Sequence, residues 1–293
     1  MTLDDLRTFL AACRHGNLSA AARELGCTQS AVSQHIRRLE HETGLDLLER
    51  RPRGVVPTEA GRILRTAAAD SLAGLDLALR RLADLRDGHG GTVRIATGAT
   101  TVRHFMTDAI VAFRRRNPHT SLEFQTESSS RTCLEAVAAG RADLAWITVG
   151  EPVRGVEQRP VAALPWMLAV RHDDPLAART SLDLADLAGI HHIRLPETST
   201  SRVRLDSHLE ARAIRPPATT GVADWDTAML LAELGLGHAV VPDLPNLART
   251  PDGPLRLIPI RGLPPLTVGW AARQWQALAP AAREFADFVE SSA

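Results

Sequence analysis

Apolar positions recur at helical spacing near the start of the chain. The first apolar stripe, which ends before Gly16, consists of Leu3, Leu6, Phe9 and Leu10. A second short helix comes next, and we expect Ser19 to be its N-cap. After a break at Gly26, a third helix is predicted from Gln29 to about Glu40. Two short helices joined by a tight glycine-containing turn, with alanines at the crossing, are typical of a helix-turn-helix.

The pattern after the third helix predicts a two-stranded hairpin and then a long helix. Residues 47–58 read as two short strands with a basic tip, and Thr58 is placed to cap the long helix. In that helix, predicted from Glu59 to Arg86, apolar residues recur at intervals of four and three, at Ala68, Leu72, Leu75, Leu79 and Leu82. The same helix of a second subunit would bury this stripe; packing against the chain's own C-terminal part is the alternative.

Strands and helices alternate beyond a glycine-rich hinge at residues 87–91. We expect about nine strands in this part of the chain. Apolar segments indicate strands at 93–96, 121–125, 143–149, 167–170, 192–195, 238–241 and 266–271. Amphipathic segments indicate helices at 102–115, 131–139, 202–213, 226–234 and 280–289. This order predicts two α/β lobes with a cleft between them. Ligands of such sheets bind beyond the carboxyl ends of the strands, at helix N-termini.

Composition restricts the class of protein without identifying it. The 293 residues carry 34 basic and 34 acidic side chains, and every basic one is arginine. Because no run of eighteen apolar residues occurs and the first residues lack a signal-peptide pattern, we expect no membrane association and a cytoplasmic location. Three widely spaced cysteines fit neither a disulfide framework nor a metal site, so no bound metal is expected.

Several stretches together resemble a known family. They are residues 21–25, 29–40, 43–50 and 57–61 near the N-terminus, and 113–118, 134–145 and 231–242 further along. In order and spacing they are similar to the LysR-type transcription regulators, although that family more often has Phe where Leu48 stands. The resemblance implies an α/β protein with an N-terminal winged helix-turn-helix, a long linker helix and a C-terminal domain of two lobes. Such a domain resembles a periplasmic solute-binding protein.

The resemblance and the pattern together predict three domains. We expect a winged helix-turn-helix DNA-binding domain at 1–58, a linker (dimerisation) helix at 59–87 and an effector-binding regulatory domain at 92–293. Within the last, lobe 1 takes about 92–162 and 266–293, and lobe 2 about 163–265. The expected partners are double-stranded DNA, a small-molecule effector and further copies of the chain, as a homodimer or homotetramer.

The expected DNA contacts lie at the start of the third helix and on the hairpin tip. Glutamine and serine side chains can bond base edges in the major groove, and arginines can hold phosphates. The residues are Thr28, Gln29, Ser30, Ser33, Gln34, Arg37, Arg38, Arg51 and Arg53. An ordinary solvated polar surface is the alternative interpretation.

The expected effector contacts are hydroxyl groups at helix starts, which suit a carboxylate or a similar anion. From the first lobe they are Thr100, Thr101, Ser128, Ser129, Ser130 and Thr148. From the second lobe they are Thr198, Ser199, Thr200, Arg202 and Trp225. Each hydroxyl is also explained by a plain N-capping role. The effector itself is unidentified, Asp226 or Glu197 could meet a cationic one, and no cofactor is expected.

Other classes of function fit the sequence less well. No nucleophile elbow, phosphate-binding loop or zinc-spaced cluster is present, and the adjacent His191 and His192 would point to opposite faces of a strand, so we expect no enzyme. A solute-binding protein would lack the helix-turn-helix, and an architectural DNA-binding protein would lack a ligand cleft. A sequence-specific transcription regulator that responds to a small molecule between two lobes accounts for both parts.

Overall fold

The computed structural model describes residues 1–86, 91–218, 220–247 and 253–291. Of the helix that reaches residue 86, the side chains at positions 81 and 84–86 lie outside the described set. Apart from Gly91, the expected hinge also lies outside it. The chain divides into two compact units, Met1–Ala83 and Asp84–Ala293.

Three short helices begin the first unit, and their caps explain where each starts. They are α1 (Leu3–His15), α2 (Leu18–Glu24) and α3 (Gln29–Thr43). The expectation that Ser19 caps α2 is wrong. Asn17 is the N-cap, and its Oδ1 accepts from the backbone N–H groups of Ser19 (2.8 Å) and Ala20 (3.1 Å). An asparagine carbonyl oxygen caps a helix as well as a serine hydroxyl does, so the cap falls on the earlier residue.

The three helices enclose a small core of their own. Alanines at the helix crossings let the backbones approach closely, and larger side chains fill the space that remains. The buried residues are Phe9, Ala11, Ala12, Ala21, Ala22, Val32, Ile36, Leu39 and Leu47. This core fixes which side of α3 faces inward and therefore which side is presented to solvent.

A two-stranded wing comes after α3. Strands β1 (Leu48–Arg51) and β2 (Gly54–Pro57) pair antiparallel, with Arg51 opposite Gly54, so that Pro52 and Arg53 form the tip. Gly54 has φ +138°, and a Cβ there would lie 2.0 Å from the carbonyl oxygen of Gly16. The neighbouring Val55 N–H donates to that oxygen at 2.8 Å. The wing is thus held against the end of α1 by a contact that requires glycine.

The long helix α4 spans Glu59–Arg86. Thr58 caps it, because its Oγ1 accepts from the Gly61 N–H at 3.0 Å, as expected. Along the heptad-like stripe, Ala68 and Leu72 are buried, but Leu79 and Leu82 are 52% and 61% exposed. The distal half of the stripe therefore has no cover within the first unit.

A five-stranded sheet forms the first part of the second unit, in the order β4-β3-β5-β12-β6. Strands β3, β4 and β5 run parallel, and β12 is antiparallel to both β5 and β6. The strands are β3 (Thr92–Thr97), β4 (Ser121–Thr126), β5 (Leu144–Thr148), β6 (Glu157–Leu164) and β12 (Leu266–Ala272). The helices of this part are α5 (Ala99–Phe105), α6 (Thr107–Arg116), α7 (Ser130–Ala138) and α10 (Pro280–Glu290).

Two smaller sheets form the rest of the second unit. One has the order β10-β7-β11 and is antiparallel, and the other pairs β8 with β9 in parallel. The strands are β7 (Trp166–Arg171), β8 (Ile193–Arg194), β9 (Thr220–Gly221), β10 (Ala239–Pro242) and β11 (Leu255–Pro259). The helices are α8 (Thr200–Glu210) and α9 (Trp225–Glu233), with 3-10 turns at Pro175–Ala178, Leu184–Gly189 and Trp275–Ala277.

Three details of the second unit differ from the expected elements. The helix expected at 102–115 is two helices, because the chain turns at Met106, whose side chain is fully buried. Strands β6 and β11 were missed; polar residues and a proline fill the first half of β6, and Arg256 interrupts the short apolar segment of β11. Strand β6 also carries the five-stranded sheet to Leu164, two residues past the expected lobe boundary.

Candidate DNA-binding surface and ligand cleft

The exposed side of α3 carries most of the residues expected to contact DNA. Thr28 is its N-cap, with Oγ1 accepting from the Ala31 N–H at 3.2 Å. Val32, Ile36 and Leu39 are buried in the core of the first unit, while the polar residues lie away from it. Gln29, Ser30, Gln34, Arg37 and Arg38 are exposed, and Ser33 is half-buried. The core thus leaves a polar face on the first two turns of α3 available to a partner.

Arg38 has a structural partner that the sequence did not indicate. Its Nη1 donates to Asp5 Oδ1 at 3.2 Å, and His35 Nδ1 lies 2.7 Å from the same oxygen. Asp5 is fully buried, and its Oδ2 accepts from the Thr2 N–H at 2.7 Å. Burial by itself raises the pKa of Asp5, but the hydrogen bonds from His35 and Thr2 and the charge of Arg38 lower that pKa below its usual value. The carboxylate therefore fastens α3 to the start of α1.

The wing tip presents arginines to solvent, as expected. Arg51 and Arg53 are both exposed on either side of Pro52. Arg51 Nη2 donates to Glu49 Oε2 on the same strand at 2.9 Å. Such an exposed pair contributes little to stability, so the guanidinium group can leave it for a phosphate at small cost.

A cavity of about 370 Å³ lies in the second unit, where the carboxyl ends of strands from two sheets meet. Residues at the end of β5 and just beyond the ends of β3, β4, β8 and β9 line it, and so do the first residues of α5, α7, α8 and α9. Of the expected effector contacts, the lining includes Thr100, Thr101, Ser128, Ser129, Ser130, Thr148, Ser199, Thr200 and Trp225. The structure thus brings together residues that are up to 125 positions apart in the chain.

Two of the expected effector contacts do not line this cavity. Thr198 is not part of its wall, and Arg202 lies behind the wall. Arg202 Nη1 donates to the Leu195 carbonyl oxygen at 2.6 Å, and its Nε donates to Asp206 at 3.1 Å. Because successive helical residues turn by about 100°, the third residue of α8 faces a different direction from Thr200.

Several hydroxyl groups of the cavity wall are engaged with backbone groups. Ser129 Oγ accepts from the Thr132 N–H at 3.2 Å, Ser199 Oγ accepts from the Arg202 N–H at 3.5 Å, and Ser130 Oγ accepts from the Thr148 N–H at 2.9 Å. The Ser129 and Ser199 hydroxyls act as caps, the plainer of the two roles considered for them, whereas the Ser130 hydroxyl joins the start of α7 to the end of β5. Other wall residues keep polar atoms that are buried and have no hydrogen-bond partner among the described residues: Thr100 Oγ1, Trp146 Nε1 and Trp225 Nε1.

Sequence reasoning missed Glu127, Cys133, Trp146 and Asp224 in the wall. Asp224 is the N-cap of α9, with Oδ1 accepting from the Thr227 N–H at 2.8 Å. Burial, together with the charge of Glu127, raises the pKa of the Cys133 thiol to about 12, so that thiol stays protonated and unreactive. The signal available in the sequence was position: each polar residue follows a strand or precedes a helix.

Hydrogen bonds cross between the two parts of the second unit beside the cavity. His104 on α5 is buried, its Nε2 lies 2.8 Å from Asp226 Oδ1 on α9, and its Nδ1 lies 3.2 Å from the Pro245 carbonyl oxygen. Arg204 on α8 donates to the Val149 carbonyl oxygen. The sequence analysis named Asp226 as a possible contact of a cationic effector. In the structure its carboxylate is paired with His104 instead.

The adjacent His191 and His192 lie in different environments, as expected for side chains that point to opposite faces of the chain. His191 is exposed and stacks on His238, with ring centroids 6.5 Å apart. His192 is buried, and burial lowers its pKa to about 4, so its imidazole is neutral near pH 7. In the described ranges no three or more His, Cys, Asp or Glu side chains are grouped to hold a metal ion. None of the described helices is long and apolar enough to cross a membrane.

The fold and the two sites define a class: a winged helix-turn-helix joined to an α/β ligand-binding domain. Residues 3–62 match the bacterial regulatory helix-turn-helix proteins of the lysR family, and residues 86–293 match the LysR substrate binding domain. The chain belongs to the LysR family. It is a DNA-binding transcription regulator with an effector-binding domain, and its family consists of regulators, not enzymes. The resemblance, fold class and function expected from the sequence are confirmed.

Individual relatives and a solved structure agree with this membership. CbbR of Xanthobacter flavus, named as a transcriptional regulator, is 28% identical over 99% of this chain and 87% of its own. The small neutral protease regulatory protein of Streptomyces coelicolor is 32% identical over 88% and 82%. The crystal structure of full-length CbnR, complexed with its target DNA, has a TM-score of 0.60 at 22% identity and covers all of both chains.

Proposed function

We propose that this regulator reads its operator through the N-terminal turns of α3 and holds the flanking backbone through the wing. Gln29, Ser30, Ser33 and Gln34 would face base edges, and Arg37, Arg51 and Arg53 would face phosphates. The exposed polar side of α3 supports these roles. Thr28 and Arg38 contribute more by positioning, because Thr28 caps α3 and Arg38 bonds the buried Asp5.

A small-molecule effector, we propose further, occupies the cavity between the two lobes of the second unit. The observation that carries this proposal is the meeting of five strand ends and four helix starts around one cavity. That arrangement places backbone N–H groups and hydroxyls around a ligand. The volume of about 370 Å³ lies within the range of ordinary ligand sites.

Effector binding alters DNA binding by changing the arrangement of the two lobes. The effector favours one arrangement only if it binds that arrangement more tightly. The bonds of His104 and Arg204 that cross between the lobes are the contacts such a change would break or remake. Transmission runs through α4, whose exposed Leu79 and Leu82 would pair two subunits into a homodimer, the unit of a homotetramer. A cytoplasmic location and the division into DNA-binding domain, linker helix and regulatory domain belong to the same proposal.

A pair of α3 variants tests the DNA contacts. Gln34→Ala removes a side chain that can bond a base edge and should weaken binding to a genomic operator fragment by about ten- to a hundred-fold. His41→Ala, on the last turn of the same helix, serves as the control and should bind like the wild type. Fluorescence anisotropy at fixed salt measures both. Equal affinities for the two variants would exclude Gln34 from the interface.

A second pair tests the effector site. Ser128→Trp fills the cavity from an exposed wall position, whereas Ser121→Trp places the same bulk at the far end of β4. A metabolite that raises the melting temperature of the wild type should raise that of Ser121→Trp equally and leave Ser128→Trp unchanged. Stabilisation that survives in Ser128→Trp would place the ligand elsewhere.

A further inference from the structure

The two charged side chains in the described lining of the cleft cavity are both acidic. Glu127 and Asp224 line it, and no described residue of the lining is an arginine or a histidine. The two arginines nearest in sequence to the α8 part of the wall are committed elsewhere: Arg202 donates to the Leu195 carbonyl oxygen and Arg204 to that of Val149. No cationic side chain of the described lining therefore balances these two carboxylates.

Hydrogen bonds within the fold leave oxygen atoms on both carboxylates without a partner among the described residues. Glu127 is half-buried, and its side chain makes no hydrogen bond or ion pair with a described residue; only its backbone N–H is engaged, at 2.9 Å from the Thr97 carbonyl oxygen. The Oδ1 atom of Asp224 caps α9, and its Oδ2 atom has no partner in the described part of the chain. Both carboxylates therefore keep oxygen atoms with which a cationic ligand group can form charge-assisted hydrogen bonds.

The rest of the wall suits the same kind of ligand. Phe105, Trp146 and Trp225 line the cavity, and aromatic faces attract cations, tryptophan most strongly. Trp146 is fixed in place by Phe105, at 5.1 Å between ring centroids, and by Trp270, at 4.9 Å. A buried hydroxyl and two buried indole N–H groups of wall residues lack partners among the described residues, so an acceptor group of a ligand that reached them would complete their hydrogen bonds.

We propose, on the basis of the effector site in the cleft, that the effector carries a protonated amino group, held between Glu127 of the first lobe and Asp224 of the second. The helix starts and unpaired donors hold an acceptor group on the same molecule. The class is a small amine with a polar end, of which a free amino acid is one source and a decarboxylated amine another.

This placement also explains how the ligand moves the lobes. Glu127 follows a strand of the five-stranded sheet and Asp224 comes after β9, so the two residues line the cavity from different lobes. Two like charges that line one cavity repel each other, and an ammonium group bound between them would replace that repulsion by attraction. The bound cation thus stabilises the closed arrangement selectively, as a ligand-driven switch requires.

Four matched sets of compounds test the proposal on the full chain: the common L-amino acids, their N-acetyl derivatives, the corresponding decarboxylated amines and the corresponding deaminated acids. Tryptophan fluorescence reports melting of the second unit, because all five tryptophans lie there. Stabilisation should be confined to compounds with a free amino group, and calorimetry should find the N-acetyl counterpart at least about ten-fold weaker. Binding by amino acids alone, or by amines as well, separates the two sources.

Variants locate the amino group. Glu127→Gln removes the charge and should weaken the best ligand by about ten-fold or more, and Asp224→Asn should weaken it less while keeping the cap of α9. Glu123→Gln, an exposed position on β4 outside the lining, is the control and should bind normally.

Three results for a compound that binds would each overturn the amine proposal: the compound lacks an amino group, its N-acetyl derivative binds equally well, or Glu127→Gln binds it with full affinity. In the first case, loss of binding in Ser128→Trp would keep the cleft as the effector site while its ligand class changes. If no compound of the four sets binds the folded protein, the amine proposal also fails, and operator binding by the same sample shows whether the regulator itself stands.

Discussion

At the residue scale, the buried Asp5 carboxylate joins two helices of the DNA-binding unit. It accepts hydrogen bonds from Thr2, His35 and Arg38, so its loss leaves donors on two helices without their acceptor. Asp5→Ala should lower the free energy of unfolding of that unit by about 2–3 kcal/mol. Asp4→Ala, an exposed neighbour, should change it by less than about 0.5 kcal/mol. In urea unfolding, far-UV circular dichroism reports the helices of both units, whereas tryptophan fluorescence reports the second unit alone, so the two signals together isolate the first unit, which has no tryptophan.

The same residue makes this stability depend on pH. Because the pKa of Asp5 is lowered in the folded protein, its contribution is fully present above the unfolded pKa of about 3.9 and is lost as pH falls through the lower folded pKa. The difference between the wild type and Asp5→Ala should therefore shrink below about pH 4. A difference that stays constant down to about pH 2 would contradict the charged state assigned to Asp5.

At the element scale, the wing is positioned by one glycine. Gly54→Ala meets the Gly16 carbonyl oxygen at 2.0 Å and also puts alanine at φ +138°. Gly26→Ala is the matched control, because its φ is +64° but a Cβ there has no atom within 4 Å; it should cost about 1–2 kcal/mol for backbone conformation alone. Gly54→Ala should cost more in urea unfolding and weaken operator binding. Equal costs for the two variants would show that the wing does not depend on this contact.

Elements with a strong period were predictable, and residues whose role depends on side-chain direction were not. The stripe of α3 and the alternation after residue 91 predicted the order of the main helices and strands, because burial imposes the period of each element. Because Arg202 lies at a helix start, it was expected in the cleft. The turn of the helix instead directs its guanidinium group to the Leu195 carbonyl oxygen. Glu127 and Asp224 were missed, since an acid beyond a strand or at an N-cap has an ordinary explanation until the cavity is seen.

At the scale of the whole molecule, the exposed half of the α4 stripe predicts self-association. Leu79→Glu combined with Leu82→Glu places charge on this stripe and should shift the protein to a smaller species in sedimentation velocity. Ile63→Glu also replaces an exposed apolar residue of α4, but off the stripe, and should leave the distribution unchanged. If the double variant sediments like the wild type, the stripe is not the subunit interface.

The most direct test of the account is to select and sequence genomic fragments bound by the purified protein, with Gln34→Ala in parallel. A two-fold symmetric pair of α3 helices predicts enrichment of a few promoter regions that share an interrupted palindrome. That enrichment should be lost or reduced in Gln34→Ala. No enrichment by a folded wild-type protein at moderate salt would contradict the assignment of α3 and the wing as the operator-reading surface.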